Sequence, residues 1–367
     1  MEATAQYWRP VRETLERYWK PRRQEREGAR PTTGALHLAH AQSNRGPGGR
    51  KKDFPDAERL VKRLVAQELT LSFVPAPEQR LWRTVMRRKY QVTRNRVQLH
   101  NRLESLLEEA HIKLSSLVSD LLGTSARRML QALANGETDP ATLAALADSR
   151  LRATSDQLRN AFDACVDLHP VYRRLLTLEE LRLIEEHLSQ LDQQMATLLS
   201  QHHEAVLRLA EVPGLGVDSA QQIIAEVGAT AATFPSAKHL ASWVGACPGE
   251  EESAGVNYSH RSPKGNRPMR RLLNQAANAA VKTKGSLFEL VYRRLVPRLG
   301  HPQAIGAIAH RLCRLIWKIL HQGIHYEERG PAINRQGQQA RARRMIREPR
   351  SLGYRVELLS APSSNPA

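Results

Sequence analysis

The segment Val212-Pro-Gly-Leu-Gly-Val-Asp-Ser-Ala-Gln-Gln-Ile-Ile-Ala-Glu-Val-Gly228 sets the reading of the C-terminal half of this chain. A helix ending near Glu211 precedes a Pro-Gly-x-Gly turn. A second helix follows, with Ala220, Ile223, Ile224 and Val227 on its apolar face. This is the pattern of a helix-hairpin-helix. Gly214 and Gly216 permit tight backbone turns. They leave the N–H groups at the start of the second helix, as far as Ser219, free to hold a phosphate, since the helix dipole is positive there. Such a unit grips a nucleic-acid backbone without reading its sequence. The plainer alternative is an ordinary helix-turn-helix corner.

Charge around this segment favours the phosphate reading. The 367 residues carry 55 Lys and Arg against 37 Asp and Glu, a net charge of +18. Residues 1–110 are net +10, residues 111–210 net −3 and residues 211–367 net +11. Two basic lobes therefore flank a slightly acidic middle, the distribution expected of two nucleic-acid-facing parts joined by a structural spacer. Charge alone fits a ribosomal or membrane-surface protein equally well. Cys165, Cys247 and Cys313 are far apart and suit a reducing, cytoplasmic compartment rather than a disulfide framework. No apolar run approaches the ~18 residues of a membrane span, and the N-terminus has no signal-peptide pattern.

Upstream, Leu181, Ile184, Leu188, Leu191, Met195 and Leu198 are spaced 3, 4, 3, 4, 3, the heptad seam of packed helices. A cofactor-lining Met/Leu box is the less favoured reading. The seam predicts antiparallel helix pairing within the chain, or dimerisation. A long helix is expected from about Glu78 to Ala110, lined by Val92, Leu99, Leu103, Leu106 and Ala110. Another should start at Asp53, with Ala57, Leu60, Val61, Leu64 and Val65 on one face.

Three groups of residues could carry chemistry. Asp53 and Asp56 lie one turn apart on a helix face, so they could share a divalent cation. They are equally good helix-start chemistry, Asp53 as N-cap and Asp56 at N3. Ser253 lies in the small-residue turn of Glu252-Ser-Ala-Gly. A serine is a poor nucleophile unless its proton is removed, and a lone loop serine is ordinarily only that. The basic run of Arg261, Lys264, Arg267, Arg270 and Arg271 fits phosphate contacts, or simply a solvated face. His37 with His40, and His202 with His203, lack the acidic or Cys company of a zinc site. No Walker A loop is present.

In this order the blocks Met1-Glu-Ala-Thr-Ala-Gln-Tyr-Trp, Gly49-Arg-Lys-Lys-Asp-Phe-Pro-Asp-Ala, Ile112-Lys-Leu-Ser-Ser-Leu-Val-Ser-Asp-Leu-Leu-Gly, Phe234-Pro-Ser-Ala-Lys-His-Leu-Ala-Ser-Trp-Val-Gly-Ala-Cys-Pro-Gly, Glu252-Ser-Ala-Gly and Lys264-Gly-Asn-Arg resemble the IS110 family of insertion-sequence transposases. The resemblance runs from Met1 to about Gly330. It implies a mostly α chain with an incomplete α/β, RuvC-like (RNase H-fold) part over residues 1–74. A helical coiled-coil region over 75–205 would follow, then a C-terminal transposase domain with the helix-hairpin-helix over 206–330 and a basic tail over 331–367, disordered or folding only on a polyanion.

The resemblance further implies that Glu2, Asp53 and Asp56 are the second, third and fourth acids of a DEDD set holding a divalent metal, with Mg2+ the expected ion. Ser253 would be the nucleophile that attacks a DNA phosphodiester. Gly214, Gly216, Ser219, Arg261, Lys264, Arg267, Arg270 and Arg271 would contact nucleic acid. DNA, a guide RNA and further copies of the chain are the implied partners, in a nucleoid-associated setting and without a membrane. The family's first Asp stands on a strand ahead of the Glu2 block, whereas Met1 precedes Glu2 directly; an N-terminally truncated chain is the expectation. The alternative function is a non-catalytic, nucleic-acid-binding remnant of such a transposase. A repair accessory protein ranks below it, since it accounts only for the hairpin.

Overall fold

A computed structural model describes residues 8–22, 36–41, 43–44, 46, 53–163, 179–248, 252–253, 256–257 and 262–328. Glu2, Arg261 and the tail after residue 328 lie outside them, as does the side chain of Ser253. The chain divides into two compact units, residues 1–80 and 81–367.

In the first unit, helix α1 (Trp8–Arg22) presents Glu16 to Arg12 at 2.7 Å and to Arg80 at 2.9 Å. Helix α2 (Asp53–Val65) starts where the sequence predicts. The apolar face expected to be covered is not: Val61, Leu64, Val65 and Phe54 are exposed, and no residue of α2 is buried. The stripe has the right period, yet of its members only Leu60 is even half-buried. Of the sheet expected over residues 1–74, the described residues contain one antiparallel bridge, Ala39 to Leu71. Buried Asn44 stitches that bridge, donating from Nδ2 to the carbonyls of His40 and Thr70 at 2.8 and 2.7 Å.

The second unit is helical. Helix α3 (Pro77–Glu109) matches the expected long helix within a residue at either end. Its C-terminal two-thirds bury Val92, Leu99, Leu103 and Leu107 in one core, shared with α4 (Thr124–Ala134), α5 (Pro140–Ala145) and α6 (Ser155–Phe162). The break at Gly136 to Pro140 falls between α4 and α5. Asp139 caps α5, accepting from the Thr142 N–H at 2.8 Å, with Pro140 in the first turn. Thr154 and Gln157 form a reciprocal capping box on α6.

Helix α7 (Glu179–Leu198) carries the heptad stripe. Leu181 and Ile184 join the core of α4–α6, while Met195 joins a second core nearer the C-terminus. Paired contacts fix the direction of α7 against α3. Trp82 meets the ring of His202, Lys89 bridges Asp192, and Arg96 lies 3.7 Å from Glu185. One series rises as the other falls, so the two helices run antiparallel, as the seam predicts for pairing within one chain.

The second core is built by α8 (His203–Ala210), α9 (Val217–Val227), α10 (Ala237–Val244), α11 (Arg267–Ala280), α12 (Leu287–Leu299) and α13 (His301–Gln322), with the start of α3 against it. Helix α13 is its axis and buries Ile308, Leu312, Cys313, Ile316 and Ile319 completely. Burial pushes the Cys313 thiol up to about 12, so it remains an inert thiol packed as an apolar group. Besides the isolated bridge, strand among the described residues is a two-rung ladder, β1 (Glu252–Ser253) against β2 (Val256–Asn257). No helix among the described residues is long and apolar enough to cross a membrane.

Candidate nucleic-acid interface and serine hairpin

The Pro213–Gly216 turn has two unlike faces. Gly214, at φ +84°, is pressed against the backbone of α11. A Cβ there would lie 2.7 Å from the Ala280 nitrogen and closer still to the Ala276 carbonyl oxygen. Val212 and Leu215 are buried beside it. Gly214 is thus a packing glycine that lets the turn sit on α11.

Gly216 is the open face. It is exposed, has extended backbone at φ −115°, and a Cβ would meet nothing within 4 Å. It precedes α9 without any side-chain cap. The first turn of α9 therefore ends at solvent with Val217, Asp218 and half-buried Ser219 around it. Asp218 does not cap this turn; it accepts from Lys89 and from Gln222, the latter at 2.8 Å. Burial pulls the Lys89 ammonium down, but hydrogen bonds to Asp192 and Asp218 outweigh that and leave it raised and charged. The carboxylate beside the open turn is thereby ion-paired.

Across the turn, α11 carries the basic run. From Ser253 to Phe288 the chain has no acidic residue and seven Lys or Arg. Arg267 is exposed and Arg270 half-buried, the latter donating to the Pro263 carbonyl at 3.2 Å. Lys264 is exposed in the loop before α11. Arg271, Asn274, Gln275, Asn278 and Lys282 line one open groove along the same helix. Donors of this kind on one helix face suit phosphate and sugar contacts. Arg271 also stacks over Tyr90, its guanidinium carbon 3.3 Å from the ring centre.

Sequence reasoning missed what holds this helix in place. Glu226, on α9, is 4% exposed. Arg87 grips its carboxylate with two hydrogen bonds of 3.0 and 3.1 Å, and Arg83 approaches to 3.4 Å. Asn266 donates to it at 2.9 Å while its own Oδ1 caps α11 by accepting from the Met269 N–H. A buried carboxylate thus joins α3, α9 and the first turn of α11. In sequence Glu226 shares a helix face with polar Gln222, four residues earlier, so no local pattern marked it as buried.

The serine hairpin lies in the loop between α10 and α11. Ser253 pairs with Val256 in the last rung of the ladder, leaving Ala254 and Gly255 between them in sequence. The loop is anchored at its exit and entry. Gly245 (φ +75°) and Gly265 meet so closely that a Cβ on Gly245 would stand 2.6 Å from the Pro263 carbonyl. His310 Nδ1 is 2.7 Å from the Ala246 carbonyl. Neither glycine contact could be read from local periodicity.

In the first unit, Asp53 and Asp56 both stand in the first turn of α2. Asp56 pairs with Arg59 at 2.7 Å, and Arg59 donates to the Asn44 carbonyl at 3.1 Å. Two exposed or half-exposed carboxylates one turn apart are the hard-oxygen donors a divalent cation takes, with Arg59 the resident counter-ion. They fit as two ligands of a set. The described residues contain no group of three acids, His or Cys placed to hold a metal.

Comparison with known proteins agrees with this lobe. Residues 206–293, from α8 to the middle of α12, match the model described as Transposase IS116/IS110/IS902 family. The chain is 29% identical to the "Insertion element IS110 uncharacterized 43.6 kDa protein" of Streptomyces coelicolor over 41% of this chain and 37% of that protein. It is 25% identical to a "Probable family 20 transposase" of Pseudomonas aeruginosa over 74% of this chain and 72% of that one. The "Insertion element IS900 uncharacterized 42 kDa protein" of Mycobacterium paratuberculosis is 26% identical over 39% and 36%. The aligned stretch thus spans little more than a third of the Streptomyces and Mycobacterium proteins. Residues 206–293 are similar to the IS116/IS110/IS902 transposase family, and the chain as a whole is similar to transposases and other proteins of insertion elements.

Proposed function

We propose that this chain is a DNA transposase that cuts and rejoins DNA through attack by Ser253 on a phosphodiester. The observation that carries the reading is the placement of Ser253 at the end of a hairpin that leads into the acid-free basic helix α11, within the family-matched segment. Phosphates would lie along Lys264, Arg267, Arg270 and Arg271, with Arg261 in the same run, and against the open turn at Gly216 and Ser219. This holds the DNA backbone by charge and donors without reading its sequence.

In the attack, the Ser253 hydroxyl gives up its proton as its oxygen bonds to phosphorus. The displaced deoxyribose oxygen leaves and takes up a proton, and the DNA end stays attached as a phosphoserine ester. Rejoining reverses the exchange with a new deoxyribose hydroxyl as nucleophile, so no bond energy is lost between cutting and joining. Asp53 and Asp56, with Glu2, would hold a divalent metal, Mg2+ by expectation, whose charge favours an anionic phosphate when it is bound. Arg59 holds Asp56 in the meantime. A guide RNA and further copies of the chain are partners the same reading brings with it.

The test is a covalent one. The full chain, incubated with Mg2+ and a DNA carrying the element's end, should yield a protein–DNA adduct that survives denaturation. Ser253→Ala should abolish it while retaining salt-sensitive DNA binding. An adduct persisting in the alanine variant overturns the nucleophile assignment. Binding without any adduct in the parent chain favours the non-catalytic reading.

A further inference from the structure

Between α3, α9 and the first turns of α11 is a partly enclosed pocket of about 160 Å³, adjoining the open groove along α11 at Arg271. Its floor is apolar: Met86, Met269 and Leu272 are all buried. Tyr90 stands at its mouth, 40% exposed, and Arg271 covers the ring face. Gln222 and the Arg87–Glu226 pair edge it with amide and charged groups.

We infer that this pocket receives one unpaired nucleobase from a bound strand, with Tyr90 as its stacking surface. The inference rests on the nucleic-acid reading above. The volume is close to the roughly 150 Å³ of a protein cavity that takes up benzene, a size that suits one flat heteroaromatic ring. An apolar floor beneath a polar rim is how proteins hold bases taken out of a stack: the faces need apolar or aromatic contact and the edges need hydrogen-bonding groups. Arg271 occupies the tyrosine face in the free chain. Its charge and fork geometry suit the phosphate of the incoming nucleotide, so entry of the base moves the guanidinium from ring to backbone. Neighbouring Arg267 and Arg270 lie on the same first turns of α11, so the strand they grip passes the pocket mouth. Attack on a phosphodiester beside an extruded base needs local unpairing, and a seat for that base lowers its cost.

The probes are oligothymidylate and oligouridylate of about twenty nucleotides and a DNA duplex of similar length, titrated against the full chain by fluorescence anisotropy. Tyr90→Ala should weaken binding to at least one single strand about tenfold, the worth of one lost aromatic stack, and leave duplex affinity within about twofold. Tyr90→Phe should restore the single-strand affinity. The strand that loses more, thymidylate or uridylate, identifies the source of the base. Because Tyr90 is partly exposed, unfolding is not expected of its variants, and a thermal melt of each confirms it. Should Tyr90→Ala prove unfolded, Arg271→Gln gives the same comparison, a single-strand loss exceeding its duplex loss. Equal losses on single strand and duplex, or none on either, overturn the inference. Loss confined to single strands without a Ser253 adduct would sink the transposase mechanism and leave the base pocket standing. An adduct with Tyr90-independent binding would do the reverse.

Discussion

Gly214 and Gly216 look alike in sequence and do opposite things in the structure. Gly214 combines a positive φ with backbone of α11 on the side where a Cβ would go, so neither the turn nor the helix can yield cheaply. Gly214→Ala is expected to destabilise the C-terminal lobe by about 3 kcal/mol, strain and overpacking together. Gly216→Ala, at an ordinary φ in open space, should change stability by less than about 0.5 kcal/mol. Urea unfolding of the two variants checks the pair, and similar values would show that the turn does not pack on α11 as described. Glu226 is the other residue whose role is set by its surroundings. Glu226→Gln leaves Arg83 and Arg87 without their buried counter-charge, and about 3 kcal/mol is expected to be lost. DNA affinity should fall with it, as the Asn266 cap loosens the start of α11.

At the scale of elements, α3 and α7 show how far periodicity carries. Their apolar spacing revealed both helices and the length of α3, and the seam left two ways to cover it, antiparallel pairing within the chain or dimerisation, of which the structure shows the first. The same logic failed for α2, whose stripe stands exposed among the described residues. Period reports what a helix can bury, while only the tertiary fold reports whether something lies there. The charged pairs along the α3–α7 seam were illegible, since surface Arg and Glu occur everywhere. One of them gives a pH prediction. Glu185, beside α4, accepts from Arg127, which together with Arg96 holds its carboxyl below the ordinary 4.5 against the opposing effect of burial. A lowered folded pKa means the stabilisation is complete above about pH 4.5 and is lost as pH falls through the folded value. Glu185→Gln should therefore lower the melting temperature at pH 7, by the equivalent of about 1 kcal/mol or less for so exposed a pair. It should also flatten the acid decline expected of the parent chain as pH falls below about 4.5.

Over the whole molecule, charge was the most legible property and packing the least. The uneven distribution of +18 along the chain could be counted, and the acid-free stretch from Ser253 to Phe288 proves to include the exposed face of α11. The candidate site was legible in its residue types, from Ser253 to the Arg267–Arg271 run. It was not legible in the contacts that give it shape, such as Glu226 to Asn266 or Gly245 to Gly265, because these join residues 20 to 143 apart in sequence. If α11 binds phosphates by charge, the logarithm of DNA affinity should fall linearly with the logarithm of salt. Lys282→Gln should then reduce the slope by about 0.9, one phosphate's worth of released counterions. An unchanged slope would remove Lys282 from the interface.

Among the described residues, the two cores of the second unit share helices α3 and α7. Met86 and Met195 belong to one, while Val92 and Ile184 belong to the other. The described residues between those helices, α4 to α6, are therefore a cassette inserted into a two-stem arm, with its own apolar interior and caps. Such a module can be lengthened, shortened or exchanged without redesigning the lobe that carries Ser253, provided the stems change by equal numbers of turns. Deleting one heptad from each stem would draw the cassette inward by about 10 Å and leave the distal lobe's packing in place. The reach of the arm is thus a free variable for evolution, tunable independently of the lobe that carries Ser253.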